Sequence, residues 1–363
     1  MRINSVRNVS RNNSLSVRRK RVSFNYIREI PSPDEMKDAV ALPEPLRKIK
    51  QERDREIRAI FQGESDRFFL VIGPCSADNE DAVCEYVSRL ARLQEEVKDR
   101  ILLIPRIYTN KPRTTGEGYK GMVHQPDPQK QPNISEGIFA IRNMHIRALQ
   151  ESHLSAADEM LYPGNLPYLD DLLSYVAVGA RSVENQQHRL TVSGMEVPAG
   201  MKNPTSGDMS VMLNSIYAGQ HSHVFIYNRW EVMTSGNPFA HAILRGAVDI
   251  NGRSIPNYHF ENLINVAHAY MERTLANPVI VVDTNHANSN KQYQEQPRIG
   301  MEVVQSRNYS GLLKDMVRGL MIESYLLEGS QKIDENIYGK SITDACLGWK
   351  ETASFVRRLA EIV

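Results

Sequence analysis

Cys75, His286, Glu323 and Asp344 offer a thiolate, an imidazole and two carboxylates, a donor set that suits one divalent transition metal. Taken singly, each has an ordinary explanation. A buried cysteine is usually inert packing, and a lone histidine or aspartate in a loop is usually solvated. A second set is cationic: Arg106, Lys111, Arg113, Arg181, Lys202 and Arg245. Arginine presents a planar fork to phosphate or carboxylate, and lysine a point charge. These cations would repel one another in a shared cavity, so a cavity that gathers them should hold several negative charges. Two substrates carrying two phosphates and a carboxylate would balance it. Lys120 and Arg253 are read as ordinary surface charges. The donor set does not choose among Mn, Fe, Co and Zn.

Such chemistry needs both sets at one place, and the pattern of the chain supplies one. Short apolar runs alternate with longer amphipathic stretches, which predicts βα units around a parallel sheet. Strands are predicted over 68–73, 101–107, 157–161, 176–181, 197–202, 223–227, 242–245, 279–283 and 320–324, one more than an eight-stranded barrel takes. Between Tyr227 and Ala242 lies Thr234-Ser235-Gly236-Asn237-Pro238, which breaks any crossover helix. We therefore read 242–245 as a hairpin strand in the loop after the sixth strand, 223–227. The helix of that unit follows, around 260–275. The predicted fold is a (β/α)8 TIM barrel with an N-terminal extension and that extra β-hairpin. A doubly wound sheet is the second architecture, but the first strand runs into Gly73-Pro74-Cys75-Ser76 and not into a GxGxxG phosphate loop.

In a barrel, the C-terminal ends of the strands converge on one mouth. Cys75 follows strand one; Arg106, Lys111 and Arg113 follow strand two; Glu159 ends strand three. Arg181 and Lys202 end strands four and five, Arg245 ends the hairpin, His286 follows strand seven, and Glu323 and Asp344 follow strand eight. Closure sets strand eight beside strand one, which makes Cys75, His286, Glu323 and Asp344 neighbours.

Composition fits one soluble enzyme domain. Of 363 residues, 41% are hydrophobic and 24% charged, and the net charge is +1, which gives no general case for nucleic-acid or membrane binding. No apolar run is long enough to span a bilayer. Three cysteines, with no apolar leader, point to a reducing, cytoplasmic setting. Residues 1–35 read as an arm that is flexible or packs on a partner subunit, and residues 36–363 as a helix over 36–63 plus the barrel. The arm is basic: eight Lys and Arg residues precede the first acid, Glu29. A transit peptide or an anion-binding arm would share that composition.

Several segments carry a family resemblance. Val71-Ile72-Gly73-Pro74-Cys75-Ser76, Arg106-Ile107-Tyr108, Lys111-Pro112-Arg113-Thr114-Thr115, Gly179-Ala180-Arg181, Lys202-Asn203, Ile243-Leu244-Arg245-Gly246, His286-Ala287-Asn288, Ile322-Glu323-Ser324 and Gly339-Lys340-Ser341-Ile342-Thr343-Asp344-Ala345-Cys346 stand in the order found in type I 3-deoxy-7-phosphoheptulonate (DAHP) synthases. The chain resembles that family over about residues 38–360. The resemblance implies condensation of phosphoenolpyruvate with erythrose 4-phosphate, the opening step of the shikimate pathway, by a homodimer or homotetramer with one divalent metal. It implies Cys75, His286, Glu323 and Asp344 as metal ligands. Arg181 and Arg245 would hold the phosphate of phosphoenolpyruvate, with Arg106 and Lys202 near its carboxylate. Arg113 and Thr114 would grip the aldose phosphate. Lys111 would lie between the substrates as a proton donor, and Glu159 near the reacting carbon.

The sequence also departs from the family pattern. One residue is inserted around Gly116-Glu117-Gly118-Tyr119, the segment 202–208 differs from the commoner glycine-rich version, Tyr325 follows Ser324, and Glu196 replaces a small polar residue. Three other readings stay open here: a sister synthase using another aldose phosphate, a metal-dependent aldolase, and a non-catalytic barrel that binds sugar phosphates. The Lys-Pro-Arg-Thr element argues against the first.

Overall fold

A computed structural model describes residues 23–113 and 115–363. Eight parallel strands form the barrel: β1 Phe68–Gly73, β2 Ile101–Pro105, β3 Ala156–Glu159, β4 Leu173–Val178, β5 Ala199–Lys202, β6 Ala240–Leu244, β7 Ile280–Asp283 and β8 Val317–Glu323. They pair in sequence order, and β8 lies beside β1 with Gly73 opposite Glu323. The ring closes where Arg106, just past β2, bridges Ala157 of β3 and the Ile107 N–H donates to the Ala157 carbonyl at 2.9 Å. The TIM barrel is thus the one the alternating pattern predicts.

The sixth-strand assignment is corrected. Val224–Tyr227 pairs antiparallel with Trp230–Met233 in a hairpin outside the barrel, and the barrel strand is Ala240–Leu244, between β5 and β7. The physical reason is the Asn228-Arg229 turn. Both residues have positive φ, 47° and 68°, the conformation of a two-residue hairpin loop. A strand with alternate residues exposed cannot sit in a ring buried on both faces. A further short hairpin, Ala247–Val248 with Ser254–Ile255, does lie in the loop after β6, and the helix Phe260–Met271 follows it.

The helix expected over 36–63 is two, Pro33–Ala39 and Glu44–Phe61, separated by residues 40–43, with Pro43 capping the second and Pro45 in its first turn. The second plugs the floor of the barrel. Its Ile57, Ile60 and Phe61 pack with the inward residues Phe69, Val71, Leu102, Ile104, Tyr175 and Ile243. Phe61 stacks on Phe69 with ring centroids 5.5 Å apart. The alternate strand residues, such as Leu70, Ile72 and Leu103, face the outer helices in a second apolar layer. At the floor, Lys50 pairs with Asp54 at 2.7 Å, and a cavity of about 590 Å³ opens nearby, bounded by Arg58, Glu196, Phe225 and Thr234 among others.

The arm expected over 1–35 lies outside the described residues as far as residue 22. Its described part runs irregularly to the first helix, with Phe24, Tyr26 and Ile27 exposed. Arg28 donates to Asn133 Oδ1 at 2.9 Å, and the Tyr168 hydroxyl to the Pro31 carbonyl at 2.8 Å. Among the described residues no helix is long and apolar enough to cross a membrane.

Candidate active site

The expected strand-end residues gather at the mouth. Cys75, Glu323 and Asp344 each bring a ligand atom within 4.8 Å of the others. Cys75 enters from the turn after β1, Glu323 ends β8, and Asp344 comes from the long loop that follows. The Ser341 hydroxyl fixes that loop by donating to the Asp344 carbonyl at 2.7 Å. Ser76 and Thr343 share a hydroxyl contact of 2.9 Å that ties the two segments together. His286 stands at the edge of the cluster. Its Nε2 is 3.9 Å from Glu323 Oε1, while its Nδ1 lies 2.9 Å from Asp283 Oδ2.

Cations occupy the same cluster. Lys111 Nζ sits 2.7 Å from Cys75 Sγ and 2.8 Å from Asp344 Oδ2. Arg106 Nη2 is 3.1 Å from Glu323 Oε1, and its guanidinium lies 3.8 Å over the Tyr108 ring. Asn285 donates to Glu323 Oε2 at 2.6 Å. Glu323 Oε1 is buried and, its ion pair with Arg106 aside, accepts no hydrogen bond among the described residues. Burial, then Glu323, pushes the Cys75 thiol up to about 11 against the pull of Lys111. Burial opposes ionisation of Glu323 and Asp344 too. Arg106 chiefly holds the first below the usual carboxylate range, and Lys111 chiefly holds the second there. Burial works against the Lys111 charge, but Cys75 and Asp344 raise it above the ordinary lysine range.

This donor set fits a divalent metal. A thiol sulfur and two carboxylates converge, one buried carboxylate oxygen lacks a hydrogen bond, and an ammonium lies among them. The structure brings three of the four expected ligands within ligation range of one another, and sets the fourth, His286, beside them.

The cationic arc is less uniform than the sequence suggested. Lys202 Nζ lies 3.1 Å from Asp283 Oδ2, so Arg106, Lys111 and Lys202 each have an anionic partner inside the protein. Burial opposes the Asp283 charge, but His286 and Lys202 hold its carboxyl well below the usual range. Arg245 and Arg181 make no ion pair among the described residues. Arg245 is buried with Nη1 unpartnered, and burial, together with Arg181, lowers its affinity for a proton. Arg181 is exposed. Arg113 is half-buried and donates from Nε to the Tyr119 carbonyl at 2.8 Å. Thr114 lies outside the described residues. The Glu159 carboxylate lies over Gly179, where an added Cβ would meet Oε1 at 2.2 Å, so a side chain there would displace the carboxylate from its present place. Lys120 and Arg253 are exposed, and no ion pair to either is seen among the described residues.

Sequence reasoning missed Asp283 and Asn285, which are buried in the site. The signal for Asp283 was available. It ends a predicted strand, three residues before His286, and strand ends are where mouth residues lie.

Barrel and mouth together define a (β/α)8 enzyme built to handle anionic substrates beside a metal-compatible cluster. The chain belongs to the DAHP synthetase I family, which it matches over residues 46–357. It is 38% identical over 317 residues to the Phe-sensitive phospho-2-dehydro-3-deoxyheptonate aldolase of Escherichia coli K12, covering 85% of this chain and 87% of that protein. It is 33% identical to the phospho-2-dehydro-3-deoxyheptonate aldolase of Corynebacterium glutamicum, over 98% of this chain and 97% of the other. The structure of the phospho-2-dehydro-3-deoxyheptonate aldolase from Francisella tularensis SCHU S4 superposes with a TM-score of 0.86 and 30% identity, covering 94% of this chain and 98% of that one.

Proposed function

We propose that this chain condenses phosphoenolpyruvate with erythrose 4-phosphate to give 3-deoxy-D-arabino-heptulosonate 7-phosphate and phosphate. The observation that carries this reading within the family frame is Arg245. A buried guanidinium with an unpartnered nitrogen, beside a second unpaired arginine, calls for an anion. Arg181 and Arg245 bind the phosphate of phosphoenolpyruvate, Arg106 and Lys202 orient its carboxylate, and Arg113 with Thr114 takes the aldose phosphate. Holding two mutually repelling anions in line is much of the catalysis. C3 of phosphoenolpyruvate attacks the aldehyde carbon. Lys111, paired with the Asp344 carboxylate, delivers a proton to the new alkoxide. Water, oriented by Glu159, adds at C2 and returns a proton to Lys111; the C2–O bond then breaks, the keto group forms and phosphate leaves with its bridging oxygen.

Cys75, His286, Glu323 and Asp344 would hold one divalent ion of Mn, Fe, Co or Zn, which supplies Lewis-acid polarisation of the aldehyde oxygen. The exposed hairpin residues Val224, Ile226, Trp230 and Met233, with Phe24, Tyr26 and Ile27 of the arm, support a homodimer or homotetramer in which the arm, residues 1–35, packs on a partner. A cytoplasmic location belongs to the same reading.

The test is phosphate release from phosphoenolpyruvate with erythrose 4-phosphate, run beside arabinose 5-phosphate, with and without a chelator. Release with the four-carbon sugar that stops with chelator and returns with Mn²⁺ is expected. Release with arabinose 5-phosphate alone would move the assignment to a sister synthase, and silence with both sugars to a non-catalytic barrel.

A further inference from the structure

Asp283 touches both halves of the site and has no part in the reaction steps above. It is 1% exposed, at the C-terminal end of β7. Its Oδ1 accepts from the Asn285 N–H at 3.1 Å, which closes the turn that throws His286 into a left-handed conformation at φ 52°. The His286 Nδ1 lies 3.1 Å from Oδ1 and 2.9 Å from Oδ2, which leaves Nε2 as the nitrogen facing Glu323. The same Oδ2 is 3.1 Å from Lys202 Nζ. One buried carboxylate thus holds the candidate ligand histidine and the candidate substrate lysine together.

We propose that Asp283 is a positioning residue that couples the metal end of the site to the anion end. A carboxylate on the far nitrogen of a ligand histidine fixes its ring and tautomer and strengthens it as a donor. Here that carboxylate is shared. Whatever draws the Asp283 charge toward His286 loosens it on Lys202 and frees the ammonium for a substrate anion. Whatever anchors Lys202 on Asp283 weakens the support of His286. The inference rests on the assignment of His286 and Lys202 made above.

Asp283→Asn should weaken the metal end without weakening the anion end. The neutral amide keeps the size of the side chain but removes its charge. Mn²⁺ titrated into the metal-free variant should bind about 10- to 100-fold more weakly, as loss of a partner behind a ligand histidine usually produces. Phosphoenolpyruvate titrated into the same metal-free protein should bind no more weakly than to the unaltered chain, because Lys202 has lost its internal competitor. Parallel weakening of both would show a merely structural role and overturn the proposal, as would unchanged Mn²⁺ affinity. Lys202→Gln is the reciprocal variant and serves if the first does not fold. It should tighten Mn²⁺ while weakening phosphoenolpyruvate, and Mn²⁺ binding that is no tighter overturns the coupling. Failure of the unaltered chain to release phosphate would remove the assigned reaction instead, and these binding titrations do not depend on turnover.

Discussion

The floor and the mouth of the barrel are built from the same eight strands and follow opposite rules. At the floor, Ile57, Ile60 and Phe61 fill the ring with apolar contacts. At the mouth, charged groups are buried, some paired, while Arg245 keeps an unpartnered nitrogen and makes no ion pair among the described residues. An unsatisfied buried donor costs roughly 1–3 kcal/mol. The floor therefore contributes stability, and the mouth gives some of it up for binding. A substitution should reveal which end it lies in by whether it moves stability or activity.

The largest effect is expected from Cys75→Ala. Loss of metal-assisted charge stabilisation of several kcal/mol corresponds to about 10³-fold in rate or more. Metal-dependent phosphate release should collapse while the melting temperature holds. Full activity under strict metal depletion would show that the cluster holds no working metal. Phe61→Ala is the opposite case. Emptying the floor should lower stability by about 3–5 kcal/mol, read by urea unfolding, with kcat preserved in the folded fraction. A fall in kcat at unchanged stability would break the division of labour.

Arg245→Met sharpens the comparison, because it should move both quantities in opposite directions. Loss of charge-assisted hydrogen bonds of about 1.5–3 kcal/mol should raise KM for phosphoenolpyruvate by about 10- to 100-fold. Relief of the unpartnered nitrogen should raise stability by about 1 kcal/mol. Destabilisation would mean that the guanidinium has a structural partner after all.

Asp158 is expected to leave activity alone and to act through the pH dependence of stability. It accepts from the Thr109 and Glu159 N–H groups, yet burial pushes it up to about 7. Its folded value is above its unfolded value, so the folded state binds more protons between about pH 4 and 7. Its contribution then favours folding at the acid end and is lost as pH rises through that window. Asp158→Asn should flatten that part of a melting-temperature profile. An unchanged profile would assign the slope to other groups.

The barrel was legible in the sequence because strands buried on both faces alternate with amphipathic helices, and because residues with chemistry follow almost every strand. The sixth strand was not. Ala240-His241-Ala242-Ile243-Leu244 contains a histidine that looks out of place in a core, but His241 Nε2 is 2.7 Å from the buried Tyr175 hydroxyl. His223-Val224-Phe225-Ile226-Tyr227 looks more like a core strand and is not one, because its turn folds it back on Trp230–Met233. At the mouth, residue type and place in the strand announced Cys75, Lys111, Glu323 and Asp344. The pairings of Arg106 with Glu323 and of Lys202 with Asp283 could not be read, since they depend on which strands face each other across the ring.

Cys75 and Asp344 approach within 3.4 Å across 269 residues of chain. Nothing local brings them together. The contact exists only because the last strand of the ring docks beside the first. A growing polypeptide therefore makes the thiol early and carries it through most of synthesis without its carboxylate companions. The candidate metal cluster is among the last features to mature, and truncation before residue 344 should yield a chain with most of a barrel but without the Asp344 carboxylate beside Cys75.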